Sequence, residues 1–324
     1  MKVIFRADGH TQTGLGHIMR SAALMHMLLP EFDCEFWTRN PEFFPNSEFE
    51  NTLLVRPLCQ EDIVAEAKEI CRHVSKGDII VLDGYHFDTA YQKILKEGQL
   101  KVVCIDDIIS FHFYADAIIN HAGGIDPELY STEPYTRLFL GPAFALVKPV
   151  FYKMERPERD LSVQRFIISL GGADINNDTD KVLQQLIHIF NTGELHVVLG
   201  AANKHADSLL DKYQDYQFIR FHRNLNVDEI ASLMQQCTYA VLTPSTICYE
   251  YMAIGGAVFL LQTADNQKHV KAYFLREGLA FPFEEINAVT KSLLHQSLAK
   301  QEQIFDRKSA KRVLDIFHNL ATEA

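Results

Sequence analysis

The sequence predicts an α/β protein built from two Rossmann-like halves, on three observations. Short apolar runs alternate with amphipathic helical patterns along the whole chain, the rhythm of a parallel sheet covered on both faces. The rhythm stops at a polar, proline-bearing stretch near the middle and then restarts. At 324 residues the chain is also longer than one hydrophobic core usually serves.

The elements follow in order. In the first half, apolar runs of strand length lie at 3–6, 34–37, 79–82, 102–105, 117–119 and 138–140. Helical spacing fills 16–29, 61–73 and 89–97. Gly141-Pro142, Lys148-Pro149 and the polar segment 153–163 mark a break, giving domains at 1–150 and 151–324. Strands then recur at 165–170, 195–199, 218–221, 239–242 and 257–261, with helices at 178–190, 203–213, 227–236, 246–254 and 266–277. A last amphipathic helix over 301–320 is expected to return to the first domain. Such sheets bind ligands beyond the carboxyl ends of their strands, and the cleft between two such domains is the default site.

Composition narrows the function. A net charge of −11 argues against sequence-independent nucleic-acid binding but leaves room for a local pocket for one phosphate ligand. The six cysteines are scattered, with no paired metal-ligand spacing, as in a reduced cytoplasmic protein. The chain opens on a strand with no signal-peptide pattern. No apolar run approaches the roughly 20 residues of a membrane span. Neither a nucleic-acid nor a membrane partner is expected, and a monomer is compatible with the composition.

The most informative stretch runs from Asp8 through Gly14, Gly16 and His17 to Arg20, directly after the first strand. A helix start carries partial positive charge and free N–H groups. It disfavours a cation, so a neutral imidazole there suits a general base. Arg20 lies one turn on, and Asp8 is a candidate to orient the ring. The plainer reading is a tight turn in which His17 only packs. Other strand ends carry polar groups: Asp83 and Tyr85, Asp106-Asp107, and Asn120-His121. Asp106 and Asp107 point to opposite faces and cannot form one dyad. His10, His17, His86 and His121 have no metal spacing, and no metal is expected.

In the second half, Gly171-Gly172 and Asp174 follow a strand, where glycines allow close approach of a ligand or a partner loop. Ser245 and Thr246 open a helix and are placed to hold a diphosphate, with Glu250 one turn on for a ribose. Asn266 and Gln267 offer amides to a sugar. The plainer reading is a turn and cap, which explains Asn177 and Asp178 well, a capped helix at Ser245 and Thr246 with a solvated Glu250, and an Asp265 or Asn266 cap.

In order and spacing these motifs, from Phe5-Arg6-Ala7-Asp8 through Gly141-Pro142-Ala143-Phe144 to Asn266-Gln267, resemble one family. It is the UDP-2,4-diacetamido-2,4,6-trideoxy-β-L-altropyranose hydrolases of pseudaminic acid biosynthesis (PseG-like), relatives of the MurG-type glycosyltransferases. The resemblance covers residues 1 to about 280. It implies a GT-B arrangement of the two domains with an interdomain cleft, and UDP held by the second half. It implies that His17 activates water at the anomeric carbon with inversion, without metal or cofactor. It places Arg6, Asp8, Gly14, Gly16, Tyr85, Gly171, Gly172, Asp174, Asn266 and Gln267 on the substrate side. It gives Glu250 to the ribose, beside Ser245 and Thr246. One departure is Gly84, where the family pattern has histidine, which puts the sugar's identity in question.

Three other readings stay open. A glycosyltransferase of the same fold would use an acceptor hydroxyl in place of water. A nicotinamide-dependent enzyme lacks its fingerprint, since Gly14-x-Gly16 is followed by Met19. A non-catalytic nucleotide-sugar-binding module leaves His17 unexplained.

Overall fold

A computed structural model describes residues 1–9, 15–49, 53–60, 62–189 and 193–322. It divides into two compact units, Met1–Pro149 with Lys308–Ala324, and Val150–Arg307.

The first unit has β1 (Lys2–Ala7), β2 (Asp33–Thr38), β3 (Leu54–Pro57), β4 (Ile79–Asp83), β5 (Lys101–Ile105), β6 (His112–Phe113), β7 (Ala117–Asn120), β8 (Ser131–Thr132) and β9 (Arg137–Leu140). Seven of these form one sheet in the order β3-β2-β1-β4-β5-β7-β9, while β6 pairs with β8. All their pairings are parallel. The central strands are apolar without alternation because both faces are covered. Ile79, Ile80, Val81 and Leu82 of β4 are all buried. The helices are α1 (Gly16–Leu28), α2 (Ile63–His73) and α3 (Thr89–Glu97), with the short α4 (Pro149–Lys153) at the boundary.

The second unit has β10 (Arg165–Ser169), β11 (Glu194–Leu199), β12 (Ile219–Arg223), β13 (Tyr239–Leu242), β14 (Ala257–Leu260) and β15 (Phe281–Pro282). They form a parallel sheet in the order β12-β11-β10-β13-β14-β15. Its helices are α5 (Asp178–Ile189), α6 (Ala206–Tyr213), α7 (Val227–Gln236), α8 (Thr246–Ile254), α9 (Lys268–Arg276) and α10 (Lys291–Ile304). Each unit is a Rossmann-like sheet with its strand order reversing beside the first strand.

The single terminal helix expected over 301–320 is two helices. The chain breaks after α10 at Phe305, a buried ring set against Tyr249 at 6.1 Å, and passes Arg307 at φ +64°. It resumes as α11 (Ser309–Thr322), which belongs to the first unit. Val313, Ile316, Phe317 and Leu320 form its buried stripe, at the spacing of one helix face. Phe317 meets Phe32, and Arg312 Nη1 donates to the Ala143 carbonyl at 3.3 Å.

The polar segment after α4 is fastened to the second unit. Arg159 donates to the carbonyls of Gly255, Gln235 and Met234 at 2.6, 2.6 and 3.1 Å. Arg156 Nη2 donates to Met252 at 3.0 Å. These carbonyls lie at the ends of α7 and α8, where the last turn of a helix has no partner of its own.

Candidate functional site

In the first unit the polar groups gather at the carboxyl ends of β1, β4, β5 and β7. Parallel pairing sets Ala7 beside Asp83 and Asp83 beside Ile105, so the ends of β1, β4 and β5 are level. The chain leaves β1 and turns into α1 at Gly16, which brings the first turn of α1 over Asp83. His17, Arg20 and Ser21 stand at i, i+3 and i+4 on one face of that helix. All three converge on the Asp83 carboxylate. His17 Nδ1 lies 2.7 Å from Oδ1, Arg20 donates Nη2 to Oδ1 at 2.6 Å and Nε to Oδ2 at 3.0 Å, and Ser21 donates to Oδ2 at 3.2 Å.

Asp83 is fully buried. Burial opposes its ionisation, but Arg20 and His17 outweigh burial and hold the carboxyl below its ordinary range. An ionised carboxylate only accepts, so His17 Nδ1 carries the proton and donates it to Asp83. Nε2 is then the nitrogen with a lone pair, which is the form a general base needs. Arg20 Nη2 also comes within 3.3 Å of Nδ1, but both are donors and both are aimed at Asp83.

Arg20 reaches a second carboxylate, donating Nη1 to Asp107 Oδ2 at 3.1 Å. Tyr85 lays its ring edge-on to His17, with centroids 4.7 Å apart and planes at 88°. Burial and the Asp107 charge push the Tyr85 phenol upward. Asp106, as its opposite direction requires, points inward. It accepts from Ile109 N at 3.1 Å and the Tyr130 hydroxyl at 3.0 Å. His121 follows β7 in the same row. Burial and the Arg20 charge lower its pKa to about 4, and its Nδ1 accepts from Leu146 N at 3.5 Å.

Two expectations about this unit are corrected. Asp8 does not orient His17. It accepts both terminal nitrogens of Arg6, at 2.5 and 2.7 Å, and the Arg39 amide at 2.8 Å. Arg6 does not face a substrate. It is fully buried, and its other contacts go to Glu66 of α2 at 2.8 and 3.0 Å. Glu66 also takes Arg39 and the Tyr91 hydroxyl. Arg6 therefore ties β1 to α2, and only part of Asp8 is exposed. Gly14 and His10 lie outside the described residues. Gly16 is exposed, and a Cβ there would meet nothing within 4 Å. At Gly84 a Cβ would come within 2.9 Å of the Phe87 ring, so a side chain there requires that ring to move.

Asp83, Arg20 and Asp107 join the site beyond the residues the sequence assigned to it. The signal was present: a polar i, i+3, i+4 face at the start of an otherwise apolar α1, and a carboxylate closing an apolar β4.

In the second unit Gly171 is at φ +92° and both it and Gly172 are exposed. The tight neighbour is Gly200, where a Cβ would collide with the Gly172 backbone. Asp174 is buried and accepts the amides of Asp178 at 2.7 Å and Thr179 at 3.1 Å. It caps α5, so both of its carboxylate oxygens are engaged within its own turn, where the sequence expected them on the substrate side. Ser245 precedes α8, yet no side chain caps that helix. Its hydroxyl instead meets Thr243 Oγ1 at 3.1 Å, and the Cys248 amide donates to the Ser245 carbonyl at 2.9 Å, so that no side chain caps the amides of Thr246 and Ile247. Thr246 and the half-buried Glu250 stand four residues apart on α8. Gln267 spends its carbonyl oxygen on its own turn, accepting Thr263 N at 2.9 Å, while Asn266 is exposed. Among the described residues no group of three or more His, Cys, Asp or Glu could hold a metal ion, and no helix is long and apolar enough to cross a membrane.

No family model matches the sequence. The chain is 25% identical over 292 residues to an uncharacterized protein of Methanocaldococcus jannaschii, covering 86% of this chain and 59% of that one. It therefore spans under two thirds of that relative's length. It is 25% identical to the spore coat polysaccharide biosynthesis protein SpsG of Bacillus subtilis, covering 86% and 83% of the two chains. It is 23% identical to the UDP-2,4-diacetamido-2,4,6-trideoxy-β-L-altropyranose hydrolase of Campylobacter jejuni, covering 86% and 97%. Among solved structures it is similar to MurG of Acinetobacter baumannii, with a TM-score of 0.65 at 12% identity over 98% and 100% of the chains. It is also similar to Staphylococcus aureus MnaA solved with UDP, with a TM-score of 0.63 at 12% identity over 100% and 98%. At these identities the structural likeness shows the fold, which is GT-B.

Proposed function

We propose that this GT-B-fold relative of the PseG-type hydrolases splits a UDP-linked diacetamido-trideoxy sugar, of the kind used for pseudaminic acid, into UDP and free sugar. The observation that carries the reading is the His17–Asp83 pair, which leaves Nε2 ready to take a proton. Water attacks the anomeric carbon while the carbon–oxygen bond to the diphosphate breaks. The bonding electrons leave with UDP, and the water proton passes to Nε2. Asp83 stabilises the imidazolium as it forms, and Arg20 keeps Asp83 ionised. A positioned base of this kind contributes roughly 10²–10⁴-fold. Attack opposite the leaving group inverts the anomeric centre. The amides of Thr246 and Ile247 at the start of α8, with the hydroxyls of Ser245 and Thr246, suit the diphosphate, and Glu250 suits the two ribose hydroxyls. Tyr85, Gly16 and Asn266 are proposed contacts of the sugar.

The test is release of UDP from a panel of UDP-sugars with no acceptor present. Hydrolysis predicts release from a diacetamido sugar, with ¹⁸O from labelled water appearing in the sugar. Label in the phosphate, or silence across the panel, overturns it. His17→Asn and Asp83→Asn should each lower kcat by about 10²-fold or more while UDP still binds. Normal turnover by His17→Asn removes the base assignment.

A further inference from the structure

The two carboxylates that Arg20 holds are spent very differently. Asp83 accepts two hydrogen bonds on each oxygen, from His17, Arg20 and Ser21, so its capacity is filled inside the protein. Asp107 accepts from Arg20 Nη1 on Oδ2 at 3.1 Å. Among the described residues no hydrogen bond reaches its Oδ1. The Asp107 side chain is 35% exposed, against 9% for Arg20 and 0% for Asp83. The open oxygen is nonetheless held in place. Two bonds to Asp83 fix Arg20. The turn carrying Asp107 is pinned by Asp106, which accepts Ile109 N at 3.1 Å and the Tyr130 hydroxyl at 3.0 Å. An acceptor fixed before its ligand arrives loses little freedom on binding.

Charge and neighbours decide what such an oxygen takes. One guanidinium serves two carboxylates here, which leaves a surplus of negative charge. That repels a diphosphate and favours a neutral group with an N–H or O–H to donate. Ile108, next in sequence, is exposed, and so is Tyr85, just beyond the end of β4, the strand paired with β5. A single acceptor in apolar company suits an acetamido group, which joins an N–H to a methyl, better than a bare hydroxyl.

We propose that Asp107 is a specificity-determining residue that reads an acetamido group of the sugar by accepting its N–H on Oδ1. The proposal rests on a UDP-linked diacetamido sugar being the ligand. It is independent of hydrolysis, and its test separates the two.

Binding is read by calorimetry in the His17→Asn chain, so that the UDP-linked diacetamido sugar is not consumed. Adding Asp107→Ala should weaken that ligand about tenfold or more, the worth of a hydrogen bond to a charged group, and change UDP by less than about twofold. The same UDP-sugar with acetoxy in place of acetamido keeps the methyls and loses the N–H donors. Its Kd should differ by less than about twofold between the two chains. An unchanged Kd for the diacetamido ligand, an equal loss for UDP, or an equal loss for the acetoxy analogue overturns the proposal. So does a His17→Asn chain that does not bind the diacetamido ligand. If Asp107→Ala fails to fold by circular dichroism, Asp107→Asn decides: it keeps the shape and removes the charge, and a diacetamido Kd raised by less than about threefold is fatal. A wild type that binds the diacetamido ligand but releases no UDP sinks the hydrolase reading, while the Kd comparison still decides the role of Asp107.

Discussion

At the residue scale, the site turns on which charges are consumed and which are left. Arg6 and Arg20 are both buried arginines of the first unit, yet they do different work. Arg6 is balanced by Asp8 and Glu66 inside the fold, whereas Arg20 is balanced by Asp83, which also holds His17, and by Asp107. Adjacency in sequence made Arg6 and Asp8 look like part of the site. Their partner Glu66 sits 60 residues on, within an amphipathic helix, and nothing local marks it as buried. His17 was legible because a histidine at a glycine-led helix start has few structural reasons to be there. His121 gives the pH prediction. Its pKa is lowered to about 4 by burial and then by Arg20, with Asp107 and Asp83 pulling the other way. The unfolded chain therefore binds more protons than the folded one between about pH 6.5 and 4, so stability falls on acidification through that window. The full shift corresponds to about 3 kcal/mol, the upper bound of the expected effect. His121→Gln should flatten the pH dependence of urea unfolding over that range; an unchanged slope counts against it.

At the element scale, strands with buried faces were readable and edge pieces were not. β1, β4, β5 and β13 are runs of β-branched and aromatic residues, a pattern that few other structures use. β3 hides because it is a sheet edge: Leu54 is half exposed and Pro57 closes it. The break between α10 and α11 hides because Phe305 keeps the apolar rhythm going while its backbone leaves the helix. Asp174 shows how a cap imitates a binding residue: a carboxylate after a Gly-Gly turn serves either purpose, and only its two amide partners distinguish them. Asp174→Ala should cost the second unit about 1 kcal/mol, the usual worth of a cap. UDP affinity should stay within about twofold, since no contact to ligand is removed. The single tryptophan, Trp37, is buried in the first unit, so its fluorescence transition in urea should not move, while the circular-dichroism transition does. A large loss of UDP binding would return Asp174 to the ligand.

At the scale of the whole molecule, the first unit is completed by residues from the far end of the chain. Phe317 is fully buried there, beside Phe32 on the segment that follows α1. Truncating it opens a cavity at the helix that carries His17. Phe317→Ala should cost about 3–5 kcal/mol and be seen in the Trp37 transition. The transition of the second unit should hold its midpoint, and equal shifts in both would show that the units unfold as one. Separate transitions would mean that no single unfolding free energy describes this chain.

The place of α11 sets an order of events during synthesis. Domains generally fold as they emerge, the earlier one first. Here the N-terminal sheet is made first but lacks the cover for α1 until residues 309–322 have been translated. The central unit, complete at Arg307, can be native while its predecessor is still waiting on the ribosome. A nascent chain stopped anywhere before α11 exposes the apolar face of α1, a surface that chaperones and proteases recognise. The segment bearing the proposed base thus gains its cover only once residues 309–322 have been made.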